Sequence, residues 1–204
     1  MALALLAACG AGARAETQLA AYLGTSWTAA SDVTIAGTTF RGVSWASRSF
    51  DAPPYYGLRA AHYFAPEGWG VALDFFHDKA YAADGSVAPA LRQLSFSHGL
   101  NHLVIGVDRR FQLGPLRPCL GAGIGTLVPH VEARSDSASV DEYQWFRGVS
   151  VKVQAGVQAA VAGPFGLFAE YRFTFAHLGV STPAGHLATS LWTHHVIAGA
   201  FVAL

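Results

Sequence analysis

From Val149 to Gln158 the side chains alternate without exception: Val149, Val151, Val153, Ala155 and Val157 are apolar, and Ser150, Lys152, Gln154, Gly156 and Gln158 between them are small or polar. A period of two is the signature of an extended strand with unlike faces, and no amphipathic helix produces it. The same pattern recurs along the chain in segments of about ten residues, the length a tilted strand needs to cross a bilayer. Eight such strands are predicted: Thr17 to Trp27, Tyr55 to Phe64, Trp69 to Asp78, Ser97 to Arg110, Arg117 to Val128, Tyr143 to Val161, Phe165 to Phe175 and Trp192 to Leu204.

Composition says what the apolar face meets. Apolar residues make up 52% of the 204 and charged residues only 13%, about half the charged share of an ordinary soluble domain. No run of about 18 apolar residues offers a membrane-spanning helix. The expected fold is therefore all-β: an up-and-down antiparallel transmembrane β-barrel of about eight strands, located in the bacterial outer membrane and in contact with membrane lipid. A net charge of +0 gives no electrostatic reason to expect nucleic acid.

Residues 1–15 read as a signal peptide, an apolar stretch from Ala2 to Ala8 ending in the small-x-small site Ala13-Arg14-Ala15, and residues 16–204 read as one barrel domain. Leu6-Ala7-Ala8-Cys9 also fits a lipoprotein box with Cys9 as the lipidated end. Cleavage after Ala15 leaves Cys119 alone, so no disulfide inside the mature chain is expected.

The connections alternate in length. Long ones are expected at Thr28 to Pro54, Lys79 to Leu94, Pro129 to Glu142 and Ala176 to Leu191. Short Gly and Pro turns are expected at Ala65-Pro66-Glu67-Gly68, Gln112-Leu113-Gly114-Pro115 and Ala162-Gly163-Pro164. With an even strand number both termini face the periplasm. The inward phase collects Arg59, Asp74, Asp108, Arg110, Lys152, Glu170 and Arg172, charges of both signs that neutralise one another in an interior just wide enough for side chains. Gly121, Gly123 and Gly125 share that phase. No helix follows them, so they do not form a dinucleotide-binding turn.

Oriented by its loops, the barrel gathers His77, Asp78, Lys79, His98, Asn101, His102, His130, Glu132, Gln144, His194 and His195 at the outer rim, most of its nine histidines at one end. In His130-Val131-Glu132 an imidazole and a carboxylate two residues apart share a strand face and could ligate one metal ion. His77, Asn101, His130, Glu132 and His194 share the lipid-facing phase, which places the site outside the barrel unless bulges turn these groups inward. On an outward reading His194, on the eighth strand, lies too far around the wall to join the others.

Six blocks together resemble the lipid A oxidase family across nearly the whole mature chain: Leu73 to Lys79, Gly99 to Leu103, Pro129 to Glu132, Glu142-Tyr143-Gln144, Phe168 to Arg172 and Thr193-His194-His195. The resemblance implies an enzyme that oxidises the proximal glucosamine of lipid A, in the outer-leaflet lipopolysaccharide, to 2-aminogluconate. It further implies molecular oxygen as co-substrate, released peroxide and a divalent metal ion. Block by block it marks His77, His130, Glu132 and His194 as metal ligands, His77, Asn101 and Gln144 as catalytic or substrate-orienting groups, and Lys79 as a holder of a phosphate or carboxylate on the glycolipid. The alternatives are a non-catalytic structural or adhesion barrel, and a lipid A deacylase using Ser95 or Ser97 beside His98.

Overall fold

The computed structural model describes residues 15–64 and 68–204. The expected leader with Cys9, and most of the turn at 65–68, lie outside the described residues. The described residues form fifteen strands in chain order: β1 (Glu16–Thr28), β2 (Ser31–Ile35), β3 (Thr38–Val43), β4 (Trp45–Ala46), β5 (Tyr56–Tyr63), β6 (Trp69–His77), β7 (Ala80–Ala82), β8 (Gln93–Phe96), β9 (His102–Arg110), β10 (Leu116–Leu127), β11 (His130–Arg134), β12 (Ser139–Tyr143), β13 (Gly148–Ala162), β14 (Phe165–Thr182) and β15 (Gly185–Ala203). Eight of them, in the order β1-β5-β6-β9-β10-β13-β14-β15, pair antiparallel, and β1 closes on β15. Closure leaves no unpaired edge in the wall, the condition for crossing lipid with strands.

The alternation resolves into two surfaces. Leu58, Leu73, Ile105, Leu120, Ile124, Val149, Val153, Leu167 and Val196 are exposed on the outside of the wall, a band that only lipid covers without cost. Inside, Asp74 is sealed among Arg59, Lys152 and Arg172, and Glu170 accepts from Arg59 and Arg172. Buried charges are tolerable only when paired in this way. Arg110 sits nearer the end of the wall and pairs with Glu16 at 2.6 Å. Gly121 does make room for the network, since a Cβ there would lie 2.1 Å from Asp108 Oδ1. At Gly125 the neighbour is instead the Leu103 carbonyl, at 1.9 Å, so close strand approach is the reason for that glycine. The void among Gln18, Arg59, Gln158 and Phe168 is about 10 Å³, room for about one water and no path for solutes.

Four expectations about the rim need correction. The expected loop from Ala176 to Leu191 is strand, because the alternation of Ala176, Leu178, Val180, Leu187 and Leu191 continues to bury one face beyond the bilayer band. The expected long connections at 28–54, 79–94 and 129–142 carry β2, β3, β4, β7, β8, β11 and β12, so much of their length is sheet as well, with turns and bends kept at 47–55 and 83–92. The fourth barrel strand starts at His102 and not Ser97, because Gly99 (φ +99) and Asn101 (φ 44) break the extended backbone. Phe146 (φ 54) likewise separates β12 from β13.

Above the band the wall thus divides into two facing layers. One is the raised end of β14 and β15 with β2 and β3. The other is a five-stranded sheet in the order β12-β11-β8-β7-β4. Val33, Ile35, Leu178, Val180, Leu187 and Leu191 from the first pack on Trp45, Ala80, Leu94, Phe96, Val131 and Ala133 from the second. This apolar plug closes the extracellular mouth.

Candidate functional site

Because Val131, Ala133, Leu94 and Phe96 point into the plug, their neighbours along β11 and β8 point out. Register makes the outer face explicit: Ala46 lies opposite Tyr81, Tyr81 opposite Ser95, Ser95 opposite Glu132 and Glu132 opposite Asp141. Residues directly paired across a sheet share a face, so Tyr81, Ser95, Glu132 and Asp141 form one polar row across four strands. His130 lies two residues from Glu132 on the same face. The sheet continues upward from β6, β9, β10 and β13, so this polar face stands directly over the exposed aliphatic band of those strands.

The row is held by its own hydrogen bonds. Gln93 Nε2 donates to Glu132 Oε1 at 2.8 Å and Ser95 Oγ to Oε2 at 3.1 Å. Partial burial raises the Glu132 pKa, and the bonds from Ser97, Ser95 and Gln93 outweigh it, leaving the carboxyl below its ordinary value and charged. His130 packs edge to face on His98 at 4.6 Å and on Tyr143 at 4.5 Å, with Nε2 3.3 Å from Asp141 Oδ1. Burial and the neighbouring His98 hold its pKa below the usual imidazole value against the pull of Asp141 and Glu132. Nδ1 of His130 is buried with no hydrogen-bond partner among the described residues.

His77 lies outward at the top of β6, stacked on Tyr56 at 5.1 Å and covered by the segment 98–101. Gly99 is required there: a Cβ would lie 2.3 Å from His77 Nδ1. That nitrogen is 3.0 Å from Asn101 Oδ1, an acceptor, so His77 carries its proton on Nδ1. Its Nε2 is buried and unpartnered among the described residues. The Asn101 amide donates to the carbonyls of His98, Gly99 and Val128, which ties this cover to the start of β11.

Other residues expected at the site stand elsewhere or are already engaged. Gln144 is occupied by β14, donating to the Ser181 carbonyl at 2.9 Å and accepting from its N–H at 2.8 Å. Lys79 is sealed, with Nζ donating to the Asp51 carbonyl at 2.9 Å. Burial lowers its pKa, and the Asp51 and Asp78 carboxylates oppose the shift. His194 is outward but on the far arc, stacked on Trp27 at 5.3 Å and 2.5 Å from the Tyr171 hydroxyl. His102 and His195 point inward, to Ser150 and Thr174. Ser97 Oγ lies 3.2 Å from His98 Nδ1, but Glu132 is bonded by serine and glutamine side chains and not by His98, so no serine-histidine-carboxylate chain is assembled.

His77, His130, Glu132 and His194 therefore do not fit one metal centre. The first three belong to the β6 to β11 arc, whereas His194 sits in an aromatic belt between β1 and β14. Among the described residues no three His, Cys, Asp or Glu side chains converge in a way that could hold a metal ion.

The sequence reading passed over Arg48, Tyr81 and Asp141, and gave Tyr143 a place in a resemblance block but no role. Their signal lies in pairing register across loops that had been read as irregular, and a single sequence does not display it.

No protein-family model matches the chain, and no curated protein does. Solved structures match over nearly the full length. The outer membrane protein AlkL in lipid bilayers is 11% identical over 100% of this chain and 97% of that one, with a TM-score of 0.56. The outer membrane protein OprG of Pseudomonas aeruginosa is 11% identical over 95% and 97%, with a TM-score of 0.53. At such identity the likeness concerns fold alone. With the closed ladder and the aliphatic exterior, it makes this chain an outer-membrane-type β-barrel.

Proposed function

We propose that this barrel is an outer-membrane enzyme acting on lipid A, oxidising its proximal glucosamine to 2-aminogluconate with molecular oxygen. The observation that carries the reading is the polar face of Tyr81, Glu132 and Asp141, with Ser95 and His130 buried beneath its surface, standing directly above a lipid-facing aliphatic band. A substrate with acyl chains in the outer leaflet and sugars just above it matches that sequence of surfaces. The resemblance of six sequence blocks to the lipid A oxidase family supports the same reading.

The reaction removes the anomeric C–H hydrogen and the anomeric hydroxyl proton together with two electrons. Oxygen takes them up as hydrogen peroxide, a lactone forms, and water opens it to the acid. The net change in the lipid is one oxygen atom. The anomeric hydroxyl must be free, so the substrate carries no phosphate at that carbon. His130 is uncharged at neutral pH, and because its Nδ1 is buried the nitrogen suited to take the hydroxyl proton is Nε2, with the exposed Asp141 side chain turned aside by the sugar. The Glu132 carboxylate, with Ser95 and Ser97 beside it, is suited to hold sugar hydroxyls. A group that passes electrons to oxygen has to be supplied to this surface, and the residues implied as its ligands do not form it ready-made.

The test is mass spectrometry of lipid A from cells expressing the chain or its Glu132→Gln variant, in a host that presents 1-dephosphorylated lipid A in air. A gain of about 16 mass units that disappears in the variant and without oxygen supports the oxidase. Unchanged lipid A beside a correctly inserted barrel overturns it in favour of a structural or adhesion barrel, and a lost acyl chain points to a deacylase.

A further inference from the structure

The polar row does not end at Ser95. Beyond it, Tyr81 and the edge strand β4 form an open groove of about 270 Å³, lined by Ser44, Trp45, Ala46, Arg48, Tyr81 and the segment 82–84. Arg48 lies over the Tyr81 ring with its guanidinium carbon 4.3 Å from the centroid. Stacking of this kind fixes the plane of the guanidinium while leaving its edge donors free. No carboxylate lies within ion-pair distance of Arg48 among the described residues, a property it shares with Arg41, Arg109, Arg134 and Arg147, and of these five Arg48 is the one that lines the groove. The Arg48 backbone is also left-handed, φ 46, a conformation that costs energy in a residue with a side chain and clusters at binding sites. The turn is pinned by Asp51 N–H donating to the Arg48 carbonyl and by Ser49 Oγ accepting from the Ser26 N–H.

We infer that this groove is a subsite for an oxyanion, a phosphate or a sugar carboxylate, carried by the glycolipid substrate, with Arg48 as the residue that reads it. The inference rests on the lipid A reading above and deepens it. Tyr81 stands two strands from Glu132, about 10 Å, roughly one sugar along from the carboxylate. Oxidation requires an unsubstituted anomeric hydroxyl at the Glu132 end, so the anionic group in the groove belongs to the distal sugar. Lys79, the cation the sequence offers for this task, is sealed under Asp51, and Arg48 takes its place at the surface. Asp84 on the groove rim, with Asp51 and Asp78 near Lys79, keeps the patch from being strongly basic, so recognition comes from the bidentate edge of one arginine.

The test measures binding without turnover. Wild type, Arg48→Lys, Arg48→Ala and Tyr81→Leu barrels in detergent micelles under nitrogen are titrated calorimetrically with 1-dephosphorylated lipid A bearing a distal phosphate, and with the same lipid stripped of it. Wild type is expected to prefer the phosphorylated lipid by roughly tenfold or more. Arg48→Ala is expected to lose that preference, and Arg48→Lys and Tyr81→Leu to keep a fraction of it. No preference in wild type, or an undiminished one in Arg48→Ala, overturns the subsite. Displacement of the lipid by inorganic phosphate alone at millimolar concentration also overturns it, by assigning the groove to a free ion. A preference found in a barrel that oxidises nothing leaves the subsite standing and sinks the oxidase. Oxidation without a preference does the reverse.

Discussion

Arg59 reaches across the barrel from β5 to grip Glu170 on β14 through two parallel hydrogen bonds, each 2.9 Å, with both side chains sealed from solvent. Two strands of the wall stand between them, so the pair braces one side of the barrel against another. It belongs to a network in which three cations, Arg59, Lys152 and Arg172, share the two carboxylates Asp74 and Glu170.

Removing one member leaves its partners buried and uncompensated. Glu170→Ala is expected to lower stability by about 3–5 kcal/mol, read as a shift of the urea unfolding midpoint in lipid vesicles. The double variant Arg59→Met with Glu170→Met, which removes a cation together with the anion, is expected to recover most of the loss. Equal instability of the single and double variants would show that the brace does not act through charge pairing.

Gly57 is tied to the same network through Tyr22. A Cβ at position 57 would lie 2.2 Å from the Tyr22 ring, and the Tyr22 hydroxyl donates to Asp74 at 2.6 Å. Gly57→Ala is expected to push the ring away and cost about 1–3 kcal/mol. Pairing it with Tyr22→Leu should remove the extra cost, a comparison the same unfolding assay provides.

At the outer face the candidate residues separate into two arcs, and activity should follow the separation. Glu132→Gln and His130→Ala are each expected to lower lipid A oxidation by about a hundredfold or more. His194→Ala, on the far arc against Trp27 and Tyr171, is expected to change it by less than about twofold, in line with a surface substitution. A collapse of activity in His194→Ala comparable to that of Glu132→Gln would mean that the two arcs act together.

Gln144 closes the β12 side of the site against β14 through two bonds to the Ser181 backbone. Gln144→Ala leaves that N–H and carbonyl without the partner, at a local cost of about 1–3 kcal/mol. Hydrogen exchange at the Ser181 amide should accelerate accordingly while exchange in β14 at the level of Arg172 stays unchanged. Unaltered exchange at Ser181 would show that the clip holds nothing.

Local chemistry was enough to establish the barrel. Alternation from Val149 to Val157 assigns each side chain to lipid or interior, because a period of two admits one extended solution once the faces differ. Arg59, Asp74, Lys152, Glu170 and Arg172 were therefore legible as interior charges, and the outward phase of His77, His130 and Glu132 was legible as well. Which charges pair was not legible, since Arg59 and Glu170 are 111 residues apart and meet only when the ladder closes.

The rim was decided by tertiary structure. Nothing local distinguishes a long loop from strands that pair at a distance, so the connections at 28–54, 79–94 and 129–142 read as irregular until β8 lies beside β11 and β7 beside β8. That pairing turns Val131 and Leu94 into the plug and Glu132, Ser95 and Tyr81 outward. It also separates His194 from His130, because the circumference of a closed barrel is a distance the sequence does not carry. Side-chain direction follows from a residue's own neighbours along the strand, whereas convergence of a site follows from which strands stand side by side.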